Sequence, residues 1–244
     1  MTQQNQEGQG SLENFEATLE GGFEWLENNR RIVGIAAVSV LALGGLLAVA
    51  IEWSSRQEAG AQVRLSQIEK AYLEAMGAAP GQLEAPEPAN ADQATQARET
   101  ALAGYDEVIA EYGSRTAGLL ATLRAAELEI GLERSDAAVA RLELVVDQAG
   151  AAELLGATAN RLLGFVYEEL EQPAAAAGAY QAAASAEDYP GRETAWLAAA
   201  ETYLRAGDND AAVSAFRALK QVDAEYAAAI GADSRLEALG VVED

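Results

Sequence analysis

The chain contains neither cysteine nor histidine. Without cysteine no disulfide can form, so stability must come from packing, and that absence is permitted in either redox compartment. Without either residue the chain lacks the commonest general base, the thiolate nucleophile and the best zinc ligands, which removes most enzyme classes. Adjacent acids such as Asp106-Glu107, Glu168-Glu169 and Glu187-Asp188 remain. They sit on solvated stretches with nothing to shift a carboxylate's pKa. We therefore expect no catalytic residue, no cofactor and no metal. Asp208-Asn209-Asp210 resembles the start of a calcium loop, but the Gly and the later Glu are missing at their spacings. It reads as a turn inside a repeat, with Asn209 or Asp210 capping the following helix.

Positive charge is scarce too. Lys and Arg number 16 against 39 Asp and Glu, and the lysines are Lys70 and Lys220 alone. Residues 54–244 hold 32 acids and 14 bases, a net of −18. Such a surface repels phosphate backbones and anionic headgroups, so nucleic acid is not an expected partner. The acidity serves solubility or adaptation to salt, or it attracts a basic partner.

What the chain does have is an apolar run of 20 residues, Ile32 to Ile51, in which Ser39 is the one polar side chain. A helix rising about 1.5 Å per residue would cover about 30 Å there, the thickness of a bilayer's hydrocarbon core. Arg30 and Arg31 abut the run, and Trp25 and Trp53 lie near its ends, where indoles favour the headgroup layer. We expect a cytoplasmic segment over residues 1–31, a transmembrane helix over 32–53, and the remainder outside. The competing reading is a secretory signal cleaved after Ala50, since Ala48-Val49-Ala50 has the small-x-small form. Against it, residues 1–31 carry six Glu and two Arg where a signal needs a positive start. Gly44, Gly45 and Ala48 form a small patch of the kind that packs transmembrane helices together.

The first ten residues, rich in Gln and Gly, have no apolar period and read as a disordered tip. Leu12, Phe15, Leu19 and Leu26 then share one face of a short acidic helix. After Trp53 the pattern continues through Val63, Leu65, Ile68, Tyr72, Leu73 and Met76, predicting a juxtamembrane helix within 54–78. Three of the five prolines, Pro80, Pro86 and Pro88, place a loop over 79–92 that no helix crosses. Beyond it no strand-type alternation occurs, and Ala-rich segments of helical length alternate with short breaks, so 93–244 is read as all α-helical.

The breaks recur. With Asn160 as fourth residue of a 34-residue unit, Leu163-Gly164, Tyr167, Ala176, Tyr180 and Ala183 fall at positions 7, 8, 11, 20, 24 and 27. With Trp196 as the next fourth position, Tyr203, Gly207, Ala212 and Phe216 fall at 11, 15, 20 and 24. This is the tetratricopeptide (TPR) pattern: small residues at 8 and 20 let two antiparallel helices approach, and aromatics at 4, 11 and 24 fill the space between units. An earlier unit with Ala138, Leu142 and Val145 is degenerate, since Glu129 stands where Tyr is expected. Ala101, Tyr105 and Val108 read as the second helix of a further pair whose first helix lies between Gln62 and Gly77. The expected fold is an N-terminal transmembrane helix followed by a TPR-like all-α solenoid of about four helix pairs, with Ala224 to Leu239 as a closing segment.

Stacked repeats use their first helices to line a concave groove for an extended peptide or a partner's helix. By repeat position the groove should include Glu127, Arg161, Phe165, Glu168, Glu201 and Arg205. The Lys, Arg and Asn cluster that grips a terminal carboxylate is absent. A mixed, mostly acidic groove suits basic or weakly specific extended segments.

The order of elements resembles the YfgM-like ancillary subunits of the SecYEG translocon. The resemblance is carried by Phe23-Glu24-Trp25-Leu26-Glu27-Asn28-Asn29-Arg30-Arg31, one apolar span, a helix reaching Tyr72, and Tyr105-Asp106-Glu107-Val108-Ile109-Ala110-Glu111-Tyr112 at the entry to the repeats. It implies an anchor in the bacterial inner membrane, repeats in the periplasm, and partners among the translocon, a periplasmic chaperone of prolyl-isomerase type and exported polypeptides. The heavy acidity and the loop from Pro80 to Pro88 depart from that family's pattern. Two alternatives remain: an assembly scaffold for another envelope complex, and a soluble periplasmic TPR module released after Ala50.

The anchor reading predicts that the full-length polypeptide stays with the membrane pellet through alkaline carbonate washing. A mature chain beginning at Ile51, or full-length chain in the wash, would overturn it.

Overall fold

The computed structural model describes residues 59–241, apart from 83, 87, 89, 114 and 150–153. The expected N-terminal segment and the span from Ile32 to Ile51 lie outside the described residues. Among the described residues no helix is long and apolar enough to cross a membrane.

Ten helices and no strand make up the described residues. The first, α1, covers 59–75. It is followed by α2 (Ala91–Tyr112), α3 (Thr116–Gly131), α4 (Ser135–Ala149) and α5 (Leu154–Glu169). Then come α6 (Pro173–Ser185), α7 (Arg192–Ala206), α8 (Asn209–Val222), and the short α9 (Ala224–Ala229) and α10 (Ala232–Ala238). Each helix packs on its successor. Consecutive hairpins stack into an all-α, TPR-like solenoid.

Local chemistry sets the boundaries. The last residue of the turn inside each repeat takes a left-handed conformation, Glu133 (φ 59°), Glu171 (φ 57°) and Gly207 (φ 80°), all at position 15 of their units. The next amide then reaches back over the helix end, as Arg134 N to Glu129 O (2.9 Å), Gln172 N to Tyr167 O (2.8 Å) and Asp208 N to Tyr203 O (3.0 Å). This closure satisfies carbonyls that a helix end leaves open. Pro173, whose fixed φ suits a first helical position, starts α6. Asp208 caps α8 by accepting from Ala211 N at 3.0 Å. The expected caps, Asn209 and Asp210, lie inside the helix instead, because the left-handed Gly207 completes the turn one residue earlier.

In α1 the buried stripe is Ala61 and Leu65 with Ile68 and Tyr72 partly covered, Met76 is buried just past its end, and Val63 is turned outward at 56% exposure. The chain leaves α1 through Gly77 (φ 88°) into an irregular segment that holds Pro80, Pro86 and Pro88, and Asn90 caps α2 by accepting from Asp92 N at 3.0 Å.

Where paired helices cross, the residues are small. Position 8 is Ala126, Gly164 and Ala200, and position 20 is Ala101, Ala138, Ala176 and Ala212; all are buried. Position 24 packs above them. Tyr180 lies so close over Gly164 that an added Cβ would sit 2.5 Å from two ring carbons. Phe216, Leu142 and Tyr105 fill the corresponding places, and Ala227, Ala232 and Leu236 of α9 and α10 cover Phe216 and Leu219 at the C-terminal end. In the degenerate unit Glu129 replaces the aromatic. It is buried, bonded to Arg141 Nε at 2.9 Å, and Arg141 Nη1 also reaches Asp106 at 2.8 Å in the preceding unit. An ion-paired triad fills the space of a ring.

The tyrosines at position 24 are satisfied by acids. Tyr105 Oη donates to Glu69 at 2.7 Å, and Tyr180 Oη donates to Glu168 at 2.8 Å. Burial first, and for Tyr105 the Glu69 carboxylate second, hold both phenols above the ordinary tyrosine range.

Two outcomes follow from this packing. Gly164→Ala should lower the unfolding free energy by about 1–3 kcal/mol, through overpacking against a buried ring. Gly178→Ala, in open space on α6, should raise it by up to about 1 kcal/mol. Thermal unfolding of both variants checks the pair; equal shifts would show that the crossing is not tight. Because Tyr105 and Tyr180 ionise less readily when folded, their contribution is complete below about pH 10 and is lost as pH rises past it. Urea titrations at rising pH should show falling stability, with a shallower fall in Tyr105→Phe; identical slopes would exclude phenol ionisation as the cause.

Candidate functional site

The first helices α1, α3, α5 and α7 lie side by side, and contacts between them build one face. Glu69 and Tyr72 of α1 and Arg124, Glu127 and Leu128 of α3 line a cleft of about 150 Å³ over Tyr105. Further along, Glu168 of α5 accepts from Thr202 Oγ1 of α7 at 3.0 Å and from the Arg205 guanidinium. Arg205 also donates to Thr202 Oγ1 at 2.7 Å, so α5 and α7 are joined through a polar triangle.

Each residue expected in the groove can now be placed. Glu127, half-buried, accepts from Arg124 one turn earlier at 2.7 Å. Glu168 and Arg205 meet across the unit boundary, with Tyr180 and Thr202 completing the carboxylate's partners. Glu201 reaches the other way, to Arg235 of α10 at 2.6 Å. Arg161 and Phe165 stand one turn apart on α5, both exposed. Five of the six fall in the adjoining units of α5 and α7, whereas Glu127 belongs to the preceding unit.

The carboxylates of this face are engaged within the chain. Glu69, Glu127, Glu168 and Glu201 all accept a hydrogen bond from this chain's own Tyr or Arg side chains. Arg124, Arg205 and Arg235 pair with Glu127, Glu168 and Glu201 in turn, whereas the Glu69 carboxylate accepts from the uncharged Tyr105 hydroxyl. A carboxylate so bonded offers little to an incoming cation without first losing its internal partner.

Arg161 is the exception among the bases. Arg64, Lys70, Arg124, Arg134, Arg141, Arg205, Lys220 and Arg235 form ion pairs, Arg192 donates to Ala184 O, and Arg98, Arg115 and Arg217 are also engaged. Among the described residues Arg161 has neither an ion pair nor a hydrogen bond, only a longer-range field that opposes the upward shift of the Tyr180 phenol. Beside it, Phe165 is 42% exposed. With Leu154, seven residues before Arg161 on the same stripe and 54% exposed, they are open side chains of α5 on this face.

Repeat position alone missed Arg235, Thr202 and Arg124. Thr202 and Arg124 carried a signal, since each lies on a first helix within one turn of a predicted residue. Arg235 carried none, because α10 lies beyond the periodic units. Its guanidinium also stands 5.7 Å from the Phe216 ring centroid, a cation–π distance that helps hold the closing helix. A larger cavity, about 490 Å³, opens between α1 and α2 and is lined by Ile68, Tyr72, Gln93, Gln96, Thr100 and small residues. No predicted site residue lines it. Among the described residues no group of acids converges as a metal site would.

No protein-family model matches the chain, and no curated protein does. Solved structures similar to it include a Podosopora anserina putative kinesin light chain with nearly identical TPR-like repeats. The identity there is 16%, the TM-score 0.45, and the match covers 55% of this chain and 71% of that one. MamA matches with 18% identity and a TM-score of 0.44 over 56% of this chain and 78% of that chain. BtubC (BKLC) from P. vanneervenii matches with 17% identity and a TM-score of 0.45 over 72% of this chain and 77% of that chain.

Proposed function

We propose that this chain is a membrane-anchored adaptor that holds a segment of a protein partner against the face formed by α1, α3, α5 and α7, and that it performs no chemistry itself. The observation that carries the reading is the first-helix face: cross-linked between units, its carboxylates bonded within the chain, and left with an exposed Phe165 and an unmatched Arg161. Exposed aromatic and arginine side chains on a fixed scaffold are what protein interfaces use as anchors. The lack of His and Cys supports a role without catalysis.

The address is proposed from the sequence. The apolar run from Ile32 to Ile51, the flanking Arg30 and Arg31, and the resemblance to YfgM-like subunits support the bacterial inner membrane, with the repeats in the periplasm. On that reading the partners are the Sec translocon, a periplasmic chaperone and emerging exported polypeptides.

A photoreactive phenylalanine placed at Glu127 or Glu201 of the full-length chain in intact membranes should give defined adducts. The same probe at Leu144, exposed on α4, should give none. Adducts at Leu144 alone would refute use of the first-helix face. Adducts with components of another envelope complex would reject the translocon as partner and establish the assembly-scaffold alternative.

A further inference from the structure

Across residues 54–244 acids outnumber bases by 32 to 14, so every arginine has an excess of carboxylates to choose from. Arg161 nonetheless ends with no partner among the described residues, at the one place on the first-helix face where a large apolar ring is also left open. Its neighbours explain why. Leu162, Leu163, Gly164 and Val166 are committed to the core, and the nearest acid along the stripe, Glu168, is already occupied by Tyr180, Thr202 and Arg205.

We infer that Arg161 and Phe165 form a two-point anchor for an extended polypeptide segment that carries a large apolar side chain flanked by an acidic one, and not for a basic segment. The inference rests on the adaptor reading above and specifies its partner. Four residues along a helix advance about 6 Å. Two residues along an extended chain advance about 6.6 Å, with both side chains on the same edge. A segment laid along α5 thus brings side chains i and i+2 over Phe165 and Arg161 together. The ring contributes area and stacking, and the guanidinium accepts a carboxylate in bidentate fashion. A lysine or arginine in the segment would meet Arg161 as a like charge and would find Glu127, Glu168 and Glu201 already paired. The long-range field of the acidic chain opposes an acidic ligand, but at about 0.15 M salt it is screened beyond about 8 Å, which leaves the local guanidinium in control.

The test uses the full-length chain in detergent and three fluorescent, unstructured peptides of Gly and Ser. Their centres are Asp-Ser-Trp-Ser-Asp, Asn-Ser-Trp-Ser-Asn and Lys-Ser-Trp-Ser-Lys, so that either chain direction places an acid over Arg161. At about 0.15 M salt the Asp peptide should bind about fivefold more tightly than the Asn peptide, and the Lys peptide more weakly than both. Arg161→Glu should invert that order, and Arg161→Gln should abolish it. Phe165→Ala should weaken all three by about tenfold, with circular dichroism unchanged because the ring is half exposed. Equal binding of the three peptides, preference for the Lys peptide, or an unchanged order in Arg161→Glu would overturn the inference. Photo-adducts at Glu127 and Glu201 that persist in the double variant Arg161→Glu, Phe165→Ala would remove this anchor while leaving the adaptor reading intact.

Discussion

The structure depends on how closely two helices approach where they cross inside each unit. At that crossing the chain places Ala126, Gly164 or Ala200 on one helix and Ala101, Ala138, Ala176 or Ala212 on the other. Small residues bring the backbones together, and a ring or branched side chain at position 24 then seals the gap. A hairpin built this way still exposes an apolar stripe, which only the next hairpin can cover. Stacking is therefore a consequence of the crossing. The alignment of first helices on one face is a consequence of stacking.

Around that constant the units differ in a coupled way. Tyr180 is bonded to Glu168, twelve residues earlier, whereas Phe216 and Leu142 at the same position share their clusters with Leu204 and Ile130. The hydroxyl and the carboxylate are present together or absent together, as expected when a buried polar group without a partner costs more than the bond contributes. The triad of Glu129, Arg141 and Asp106 follows the same rule only in part, since Arg141 pairs with one oxygen of Glu129 and the other is buried without a hydrogen bond.

These bonds also shape the outer chemistry. Because Glu168 serves both Tyr180 and the α7 side chains, it is structural although partly open on the face, and Glu201 serves the closing helix in the same manner. The net charge of the chain is thus a poor guide to its inner surface. On the first-helix face the carboxylates are bonded within the chain, and Arg161 and Phe165 are left open.

Periodicity read along the chain determined the helix pairs, their order, the closing segment and the small residues at the crossings, because a 3.6-residue repeat and a 34-residue repeat are one-dimensional signals that local sterics enforce. It placed Glu127, Arg161, Phe165, Glu168, Glu201 and Arg205 on first helices, though not their partners Arg124 and Thr202. The cap of α8 was placed a residue late, since the left-handed turn at Gly207 is a matter of backbone angle that composition does not show. Which charges meet was settled by the tertiary structure alone. Glu201 and Arg235 are 34 residues apart, and Glu168 and Arg205 are 37 apart. Such pairs arise from the stacking angle between units, which places some carboxylates against cations and leaves Arg161 without one.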